Sequence, residues 1–471
     1  MSFVKRFWTL ALLVGLLFGT MTSVSAAEPV PFAAYDQTLF LDAEWYRASL
    51  IAAADLWNGG LDGESGMGIY RENFNGFFHV NLNRQWQRQT LTASTSIAQS
   101  RAIYMNVEAY RASGEERFLT AVNAGVDFLL SEFRDSVRGG FFWEVSRRGT
   151  IGDGQKHGYG NVHPIFALAQ TYAVTNNPAH LQAALDQLEL FQTYFLDPAY
   201  ACAIHPGFNR AFTEIMGTNN IDVFTHYFEA LLSLHDVTDG EQRAAIDDEI
   251  VRCGDFLVNF LYHNQAGFTD RGYVAYNYDA NWQPAQEPYT RETQWTVARQ
   301  ATTGHNIELA YLLSRAVERG FDPDWLRTAD KLLKFCIEYA LDAETGGMLY
   351  EITDYDGQPL VGNPDNPLYI WWAQAETARA LLHFLVVRGV DDYAERFKAV
   401  ETLFHADLTD QEYGGLYQAI DSTNGLQPVG LDKGNVWKVN YHYSMFFAEV
   451  LRLQAAYPDR LGELNALTAQ G

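Results

Sequence analysis

Cysteine is nearly absent from this chain, with Cys202, Cys253 and Cys336 the only three in 471 residues. Three cysteines allow at most one intrachain disulfide and leave a thiol over, which excludes a disulfide-framework fold. The expected state is three buried, reduced thiols acting as small apolar side chains, with a single disulfide as the alternative. Basic residues are also scarce: Lys and Arg total 33 against 58 Asp and Glu. The resulting net charge of −25 repels nucleic acid and anionic membranes and argues against a polyanionic substrate. A neutral ligand is expected. No Pro/Ser-rich linker or low-complexity tract divides the chain, so residues 27–471 read as one domain.

Long apolar runs are missing everywhere except at the N-terminus. There Lys5 and Arg6 precede an apolar run over 7–18 and small residues ending in Val24-Ser25-Ala26, the three-part pattern of a cleavable secretory signal. Cleavage after Ala26 is expected, giving an exported protein, periplasmic or secreted, with no membrane attachment. An uncleaved anchor is the alternative, although the run is shorter than the roughly 20 residues needed to span a bilayer. Several chemical signatures are missing too. There is no His-Glu-x-x-His, no Cys-x-x-Cys, no calcium loop and no Gly-x-Ser-x-Gly elbow, and the glycine-rich stretch 63–68 lacks the strand and Lys-Ser/Thr ending of a phosphate loop. No metal is therefore expected, though the pairs His226/Glu229 and His305/Glu308 keep a metal reading open. The oligomeric state is not legible.

What the chain does have is a repeat. A glycine followed by aromatic or aliphatic residues recurs at Gly76-Phe77-Phe78, Gly140-Phe141-Phe142-Trp143, Gly207-Phe208, Gly272-Tyr273, Gly347-Met348-Leu349-Tyr350 and Gly415-Leu416-Tyr417, the third and fourth copies being weak. The spacing is near constant, about 64 to 75 residues, which marks a repeat architecture. Between successive motifs lie two segments of helical period: 97–110 with 117–133, 163–174 with 181–195, 222–234 with 246–261, 306–316 with 325–339, and 372–387 with 393–404. One helix, 442–453, follows the last motif, and 43–56 supplies its partner. Six hairpins closing on themselves predict an all-α (α/α)₆ barrel with short β-like loops at one end. An open solenoid of the same hairpins is the competitor.

Four places in this frame offer chemistry. In Thr302-Thr303-Gly304-His305-Asn306-Ile307-Glu308, a helix starting near Gly304 puts His305 and Glu308 on one face, and its N-terminus disfavours a protonated imidazole. Glu308 then orients His305, or stays ionised and accepts a sugar hydroxyl. In Trp371-Trp372-Ala373-Gln374-Ala375-Glu376, Trp372 and Glu376 share a face, an aromatic plate beside a carboxylate that suits a pyranose, although paired tryptophans are often core filler. His442 opens the last long helix in Lys438-Val439-Asn440-Tyr441-His442. Arg101 sits in an otherwise apolar helix, so it reaches the rim or faces a polar cavity.

Taken in order, Gln99-Ser100-Arg101 with Tyr104, Lys156-His157-Gly158-Tyr159-Gly160-Asn161, His226 with Glu229-Ala230-Leu231-Leu232, Gly304-His305 with Glu308, Trp371-Trp372 with Gln374 and Glu376, and Tyr441-His442 make the chain resemble the N-acylglucosamine 2-epimerase family, which includes cellobiose 2-epimerases and mannose isomerases. The resemblance spans nearly all of residues 27–471. It implies an (α/α)₆ barrel isomerase, a 2-epimerase or aldose-ketose isomerase, acting without metal or organic cofactor at the reducing end of a neutral mono- or disaccharide. It implies that His305 and His442 exchange the C2 proton and that Arg101 steadies the enediolate oxygen. Glu308, Trp372 and Glu376 would hold the sugar and assist ring opening, with His226, Tyr159 and Tyr311 in the pocket. That assignment is chemically coherent, because a C2 proton becomes removable only in the open-chain aldehyde and leaves negative charge that a cation must meet. Epimerisation uses bases on two faces, whereas isomerisation can proceed on one. The chain departs from the family pattern at Met445, where an arginine often follows the last histidine, at Tyr311 for tryptophan, Asp222 for asparagine and His163 for phenylalanine. Two readings of other classes stay open: a glycoside hydrolase or lyase using Glu308, Glu376, Glu229 or Asp222 as acid and base, and a non-catalytic sugar-binding barrel suggested by the 14% aromatic content.

Overall fold

The computed structural model describes residues 41–468 apart from 61–63, 72, 91–92, 264–270, 350–351 and 361–366. The expected signal segment, 1–26, lies outside the described residues, as do Tyr350 and Gly63 of the motifs above. The helices are α1 Ala43–Asn58, α2 Ser96–Ser113, α3 Glu116–Phe128, α4 Gly158–Thr175, α5 Pro178–Tyr194, α6 Ile221–Val237, α7 Gly240–Phe256, α8 Thr303–Glu318, α9 Trp325–Ala340, α10 Trp371–Val387, α11 Ala394–Leu403, α12 Tyr441–Ala456 and α13 Pro458–Thr468. Helices α2, α4, α6, α8, α10 and α12 pack side by side, and α12 returns to α2, so they form a closed inner ring. Around them α3, α5, α7, α9 and α11 each pack on the preceding inner helix, and α1 packs on α12. This is the expected (α/α)₆ barrel; the open solenoid is excluded because the ends meet. The amphipathic outer helices bury one face, while the inner helices are buried almost all round, which is why their sequences show weak 3.6-residue periodicity. Helix α13 was not anticipated, and it caps α12.

The repeat is more regular than its glycines suggest. Asp135, Asp342 and Asp410 each open a turn of the form Asp-x-x-x-Gly-Gly. In every copy the Asp N–H donates to the second glycine (Asp135 to Gly140 at 2.9 Å, Asp342 to Gly347 at 2.8 Å, Asp410 to Gly415 at 2.8 Å), and the first glycine donates back to the Asp carbonyl. Gly139, Gly346 and Gly414 take the left-handed conformation (φ 70° to 77°) that this turn requires. The residue after the Asp135 and Asp342 turns is held by an amide side chain from the next inner helix, and so is Val274 beside the Gly272-Tyr273 motif. Asn161 accepts from Phe141 N (2.7 Å) and donates to its carbonyl (3.2 Å), Asn306 does the same to Val274 (2.7 and 3.0 Å), and Gln374 to Met348 (2.9 and 3.2 Å). Each amide thus imitates a strand neighbour. Short strands lead straight into the inner helices: Ala93–Thr95 into α2, Lys156–His157 into α4, Ala301–Thr302 into α8 and Leu368–Ile370 into α10. They pair antiparallel with Glu144–Ser146, Gly207–Phe208, Ile352–Thr353 and Ala419–Asp421 respectively. This pairing fixes the N-terminal ends of the inner helices at one mouth of the barrel.

Two of the turn aspartates anchor buried charge. Asp410 takes Lys433 Nζ at 2.7 Å and Arg84 Nε at 2.8 Å, and Asp135 takes Lys156 Nζ at 3.2 Å and Arg210 Nε at 2.7 Å. Burial raises the Asp410 carboxyl, but the bonds from Arg84 and Lys433 outweigh it and hold it well below the usual carboxylate range. A carboxyl depressed in the folded state stabilises above its unfolded pKa, about 4, and that stability is lost as pH falls through the folded value. Because the Lys433 side chain is fully buried, Asp410→Asn leaves it unpaired. Urea unfolding at pH 7 is expected to show a loss of about 3 kcal/mol, recovered largely in Asp410→Asn/Lys433→Met. An unchanged midpoint in the single variant would contradict this.

One expectation about the cysteines is corrected. Cys202 and Cys253 form a disulfide, their Cα atoms 5.1 Å apart, and Cys336 alone is a buried thiol. The spacing of 51 residues carries no hint of this, because the loop after α5 folds back onto α7.

Candidate active site

The six inner helices all begin at the same mouth, so their N-terminal N–H groups converge there. Tyr159, Asp222, Trp372 and His442 are each the second residue of their helices, His305 is the third of α8, and Arg101 is the sixth of α2. They line one cavity of about 630 Å³. Helix N-termini carry partial positive charge, so the mouth favours an anion that develops during reaction. The opposite mouth holds a second cavity of about 560 Å³, where the C-terminal ends favour cations. Arg111, Arg315, Arg319 and Arg452 lie there, each paired with a carboxylate.

His442 forms one wall. Its Nδ1 lies 2.7 Å from Glu376 Oε1, and since a carboxylate only accepts, Nδ1 carries the proton and Nε2 is left for the cavity. Burial, with help from Arg101, His226 and Arg379, lowers its pKa well below the ordinary 6.5, so the imidazole is neutral and basic in form. Glu376 is itself fully buried, with Arg379 Nη2 2.5 Å from its second oxygen. Burial pushes the Glu376 carboxyl up to about 7 against the pull of Arg379. The chain Arg379, Glu376, His442 is therefore a relay that sets the tautomer of the base.

His305 lines the same cavity from α8, and both its ring nitrogens are engaged. Nε2 lies 2.7 Å from Asp222 Oδ1, and Nδ1 lies 2.8 Å from Thr302 Oγ1. Asp222 also accepts from the Tyr276 hydroxyl at 2.8 Å. Burial raises the Asp222 carboxyl, but His305 outweighs it and the net shift is downward. Here the expectation that Glu308 orients His305 fails: the partner is Asp222 from α6, one of the departures noted in the sequence. Trp372 joins the two walls, its ring centroid 5.1 Å from that of His305 and 5.5 Å from that of His442. Gly304 makes this possible, because any Cβ there would lie 2.2 Å from the Trp372 indole.

Arg101 enters the cavity from α2. Its guanidinium donates to Tyr159 Oη (2.8 Å) and the Trp437 carbonyl (2.9 Å) and sits 4.8 Å from the Tyr441 ring centroid, and its Nε is buried with no partner. The Tyr159 hydroxyl in turn donates to His226 Nε2 at 2.9 Å, and His226 Nδ1 donates to Glu229 at 3.1 Å, where Tyr441 also donates. Burial lowers the pKa of His226, and its Nε2 is taken up by the Tyr159 hydroxyl, which it holds beside Arg101. His163 stacks on this group, and burial likewise lowers its pKa.

Glu308 stands apart from its expected role. It is buried, and burial together with Glu376 and Glu229 raises its carboxyl well above the usual range. Its Oε2 is buried with no hydrogen-bond partner. Glu308, Glu376 and His442 bring ligand atoms within 4.8 Å of one another, a set able to hold a small cation. The pairs His226/Glu229 and His305/Glu308 do not combine in that way.

Tyr311 is not at this cavity. It lies six residues beyond His305 on α8, about 9 Å further along the axis at 1.5 Å per residue, and its hydroxyl donates to Glu449 at the opposite mouth. Its ring, 4.2 Å from the Arg379 guanidinium, supports the site from beneath. Sequence reasoning missed Arg379, although the signal that singled out Arg101, an arginine in an apolar helix, applies equally to it. It also missed Thr302, Tyr276 and the exposed Trp295 and Trp437 at the rim.

This geometry can be set against known proteins. Residues 76–443 match the N-acylglucosamine 2-epimerase (GlcNAc 2-epimerase) family. The chain belongs to that family. It is thus an enzyme of the isomerase class. The chain is 22% identical over 388 residues to a cellobiose 2-epimerase of Bacteroides fragilis, covering 80% of this chain and 92% of that protein. A cellobiose 2-epimerase of Dictyoglomus turgidum is 20% identical over 75% of this chain and 86% of its own length. Among solved structures, a D-mannose isomerase superposes with a TM-score of 0.74 at 19% identity, covering 89% of this chain and 99% of its own. A GH76 α-mannanase of Bacteroides thetaiotaomicron superposes with a TM-score of 0.58 at 12% identity, covering 91% of this chain and all of its own, and shares the barrel alone.

Proposed function

We propose that this isomerase is a sugar 2-epimerase or aldose-ketose isomerase acting at the reducing end of a neutral mono- or disaccharide through ring opening and a cis-enediolate. The observation that carries this reading is a pair of histidines, from α8 and α12, that line one cavity on either side of Trp372, each ring held by a carboxylate, with Arg101 lining the same cavity. Glu308, its carboxyl pushed up by burial and by the neighbouring carboxylates, serves ring opening as the acid. Neutral His442, with Glu376 behind it, takes or returns the C2 proton on one face, and the His305–Asp222 pair does so on the other. Arg101 and the converging helix N-termini meet the oxyanion. The names of the relatives, cellobiose 2-epimerase and D-mannose isomerase, support both substrate sizes. Export belongs to the same reading, and the Cys202–Cys253 disulfide supports it, since such bonds persist in oxidising compartments.

The hydrolase reading is weaker because it needs a second free carboxylate. Glu376 is taken by His442 and Arg379, Glu229 by His226 and Tyr441, and Asp222 by His305 and Tyr276. The test is proton NMR in D₂O with mannose, glucose, N-acetylglucosamine, cellobiose and mannobiose. Loss of the C2 proton with appearance of the epimer or ketose is expected for at least one of them. Fragment release from longer oligosaccharides without exchange would replace this reading by hydrolysis.

A further inference from the structure

One basic side chain beside the cavity has no part in the proton transfers. Lys438, four residues before His442, lines the cavity and is only 3% exposed. Lys156 and Lys433, also buried, each meet a turn aspartate, whereas Lys438 Nζ donates to two main-chain carbonyls, Leu416 at 2.7 Å and Asp432 at 3.1 Å. Burial, with Lys433 nearby, holds its amine well below the usual lysine range, and a neutral amine has two N–H groups for those two acceptors. What the two bonds hold is a strap, residues 430–440, which runs from the strand Gln427–Val429 to α12 with no helix or strand of its own. Leu82 exchanges main-chain bonds with Gly434 (3.2 Å both ways), and the Thr95 hydroxyl donates to the Val436 carbonyl at 3.1 Å. Asn435 then closes a tight turn, its N–H donating to the Lys438 carbonyl at 3.1 Å and its Oδ1 accepting from Trp437 N (2.8 Å) and Lys438 N (2.9 Å). This turn aims the Trp437 carbonyl inward, where it accepts from Arg101 Nη1 at 2.9 Å. With its side chain 50% exposed, Trp437 owes the direction of that carbonyl largely to the main-chain turn.

Resting on the isomerase reading, we infer that Lys438 is a positioning residue for the reaction: its two bonds fix the 435–438 turn, and through the Trp437 carbonyl they fix the plane of the Arg101 guanidinium that meets the oxyanion. A guanidinium is a rigid planar fork, so two anchored nitrogens set its orientation. Arg101 has two such anchors, Tyr159 Oη on Nη2 and the Trp437 carbonyl on Nη1, while its Nε has none. The Tyr159 anchor rests on α4 and, through His226, on α6; the Trp437 anchor rests on the strap. Release of the strap leaves the guanidinium free to turn about the bond that remains, and stabilisation of the oxyanion depends on donors already in place when the charge forms. Lys438 itself makes no bond to the sugar, because its Nζ is engaged by the two carbonyls.

The experiment measures kcat and KM for C2-proton exchange in D₂O by the wild type, Lys438→Met, Arg101→Lys and the double variant, on whichever sugar of the panel above the wild type turns over fastest. Methionine keeps an apolar stem in the buried space and removes both donors. Lys438→Met is expected to lower kcat roughly 30-fold with KM within about twofold, because the loss falls on charge that exists only in the transition state. In the Arg101→Lys background the same change should cost less than about twofold, since the group it acts through is already gone. Losses that multiply in the double variant, a rise in KM at unchanged kcat, or a lower unfolding temperature at unchanged kcat would each overturn the inference and leave Lys438 a structural lysine only. If Lys438→Met does not fold, Asn435→Ala, which removes the two Oδ1 bonds of the same turn, carries the same comparison with the same deciding outcomes. Absence of exchange by the wild type with every sugar would count against the isomerase reading itself, whereas exchange by the wild type with multiplying losses would sink this inference alone.

Discussion

Asn in place of His442 is expected to reduce net epimerisation by about 10³-fold while deuterium still enters C2 of one member of the epimeric pair. The Asp222–His305 pair does not depend on His442 and should stay in place in that variant, serving the one remaining face of the sugar. The complementary variant, His305→Asn, should label the other epimer, through His442 Nε2. Two half-reactions with opposite substrates are the signature of bases on two walls. A third variant separates the members of the His305 wall. Asp222→Asn frees His305 Nε2 from its carboxylate, so exchange on that face persists if the imidazole carries the proton and disappears if Asp222 does. Proton NMR in D₂O at neutral pH, starting from each epimer in turn, reads all three. Should either histidine variant retain full turnover to a ketose, the reaction runs on a single face, and the enzyme is an aldose-ketose isomerase with one essential base. Loss of labelling from both epimers in both variants would mean that the two walls act as one unit, and the two-base account would fail.

How far such a site could be read from the chain depends on which contacts are local. The barrel was legible because six hairpins repeat and the apolar helices at 43–56 and 442–453 needed partners, and the helix starts that place His305, Trp372 and His442 lie within a residue or two of those expected. The pairings were not legible. Spacing along α8 put Glu308 beside His305, yet the partner came from α6, because α6 and α8 are neighbours in the inner ring and His305 reaches sideways across them to Asp222. Glu376 looked like a sugar ligand beside Trp372 but lies behind His442, since burial is set by α12 and not by its own helix. Tyr311 was placed by analogy with a position rather than by its height along the axis. The disulfide joins a loop to an outer helix and leaves no periodic trace.

The departures at Met445 and Tyr311 meet at one residue that neither position names, and this leads to the second large effect. Arg379 Nη1 lies 2.7 Å from Met445 Sδ, its guanidinium covers the Tyr311 ring, and its Nη2 holds Glu376. Arg379 is therefore a positioning residue acting on His442 through Glu376. Arg379→Met removes the stronger of the two cations, Arg379 and Arg101, that oppose the effect of burial on Glu376, whose pKa of about 7 must then rise. The sign follows: His442 needs an ionised Glu376 to accept from Nδ1, so kcat/KM of the wild type falls as pH drops below about 7, and in the variant that limb moves to higher pH. At pH 7 the variant should lose about 10²-fold in kcat/KM, recovering part of it at pH 9, with little change in KM. The contact with Met445 supplies a rescue. An arginine at 445 occupies the space beside the same carboxylate, so Arg379→Met/Met445→Arg should bring the limb back toward 7, whereas Met445→Arg alone crowds two guanidinium groups and destabilises the fold. A merely structural arginine would lower yield or unfolding temperature without moving the limb. If the pH profile of Arg379→Met coincides with that of the wild type, Glu376 does not depend on Arg379 and the relay to His442 is not part of the chemistry.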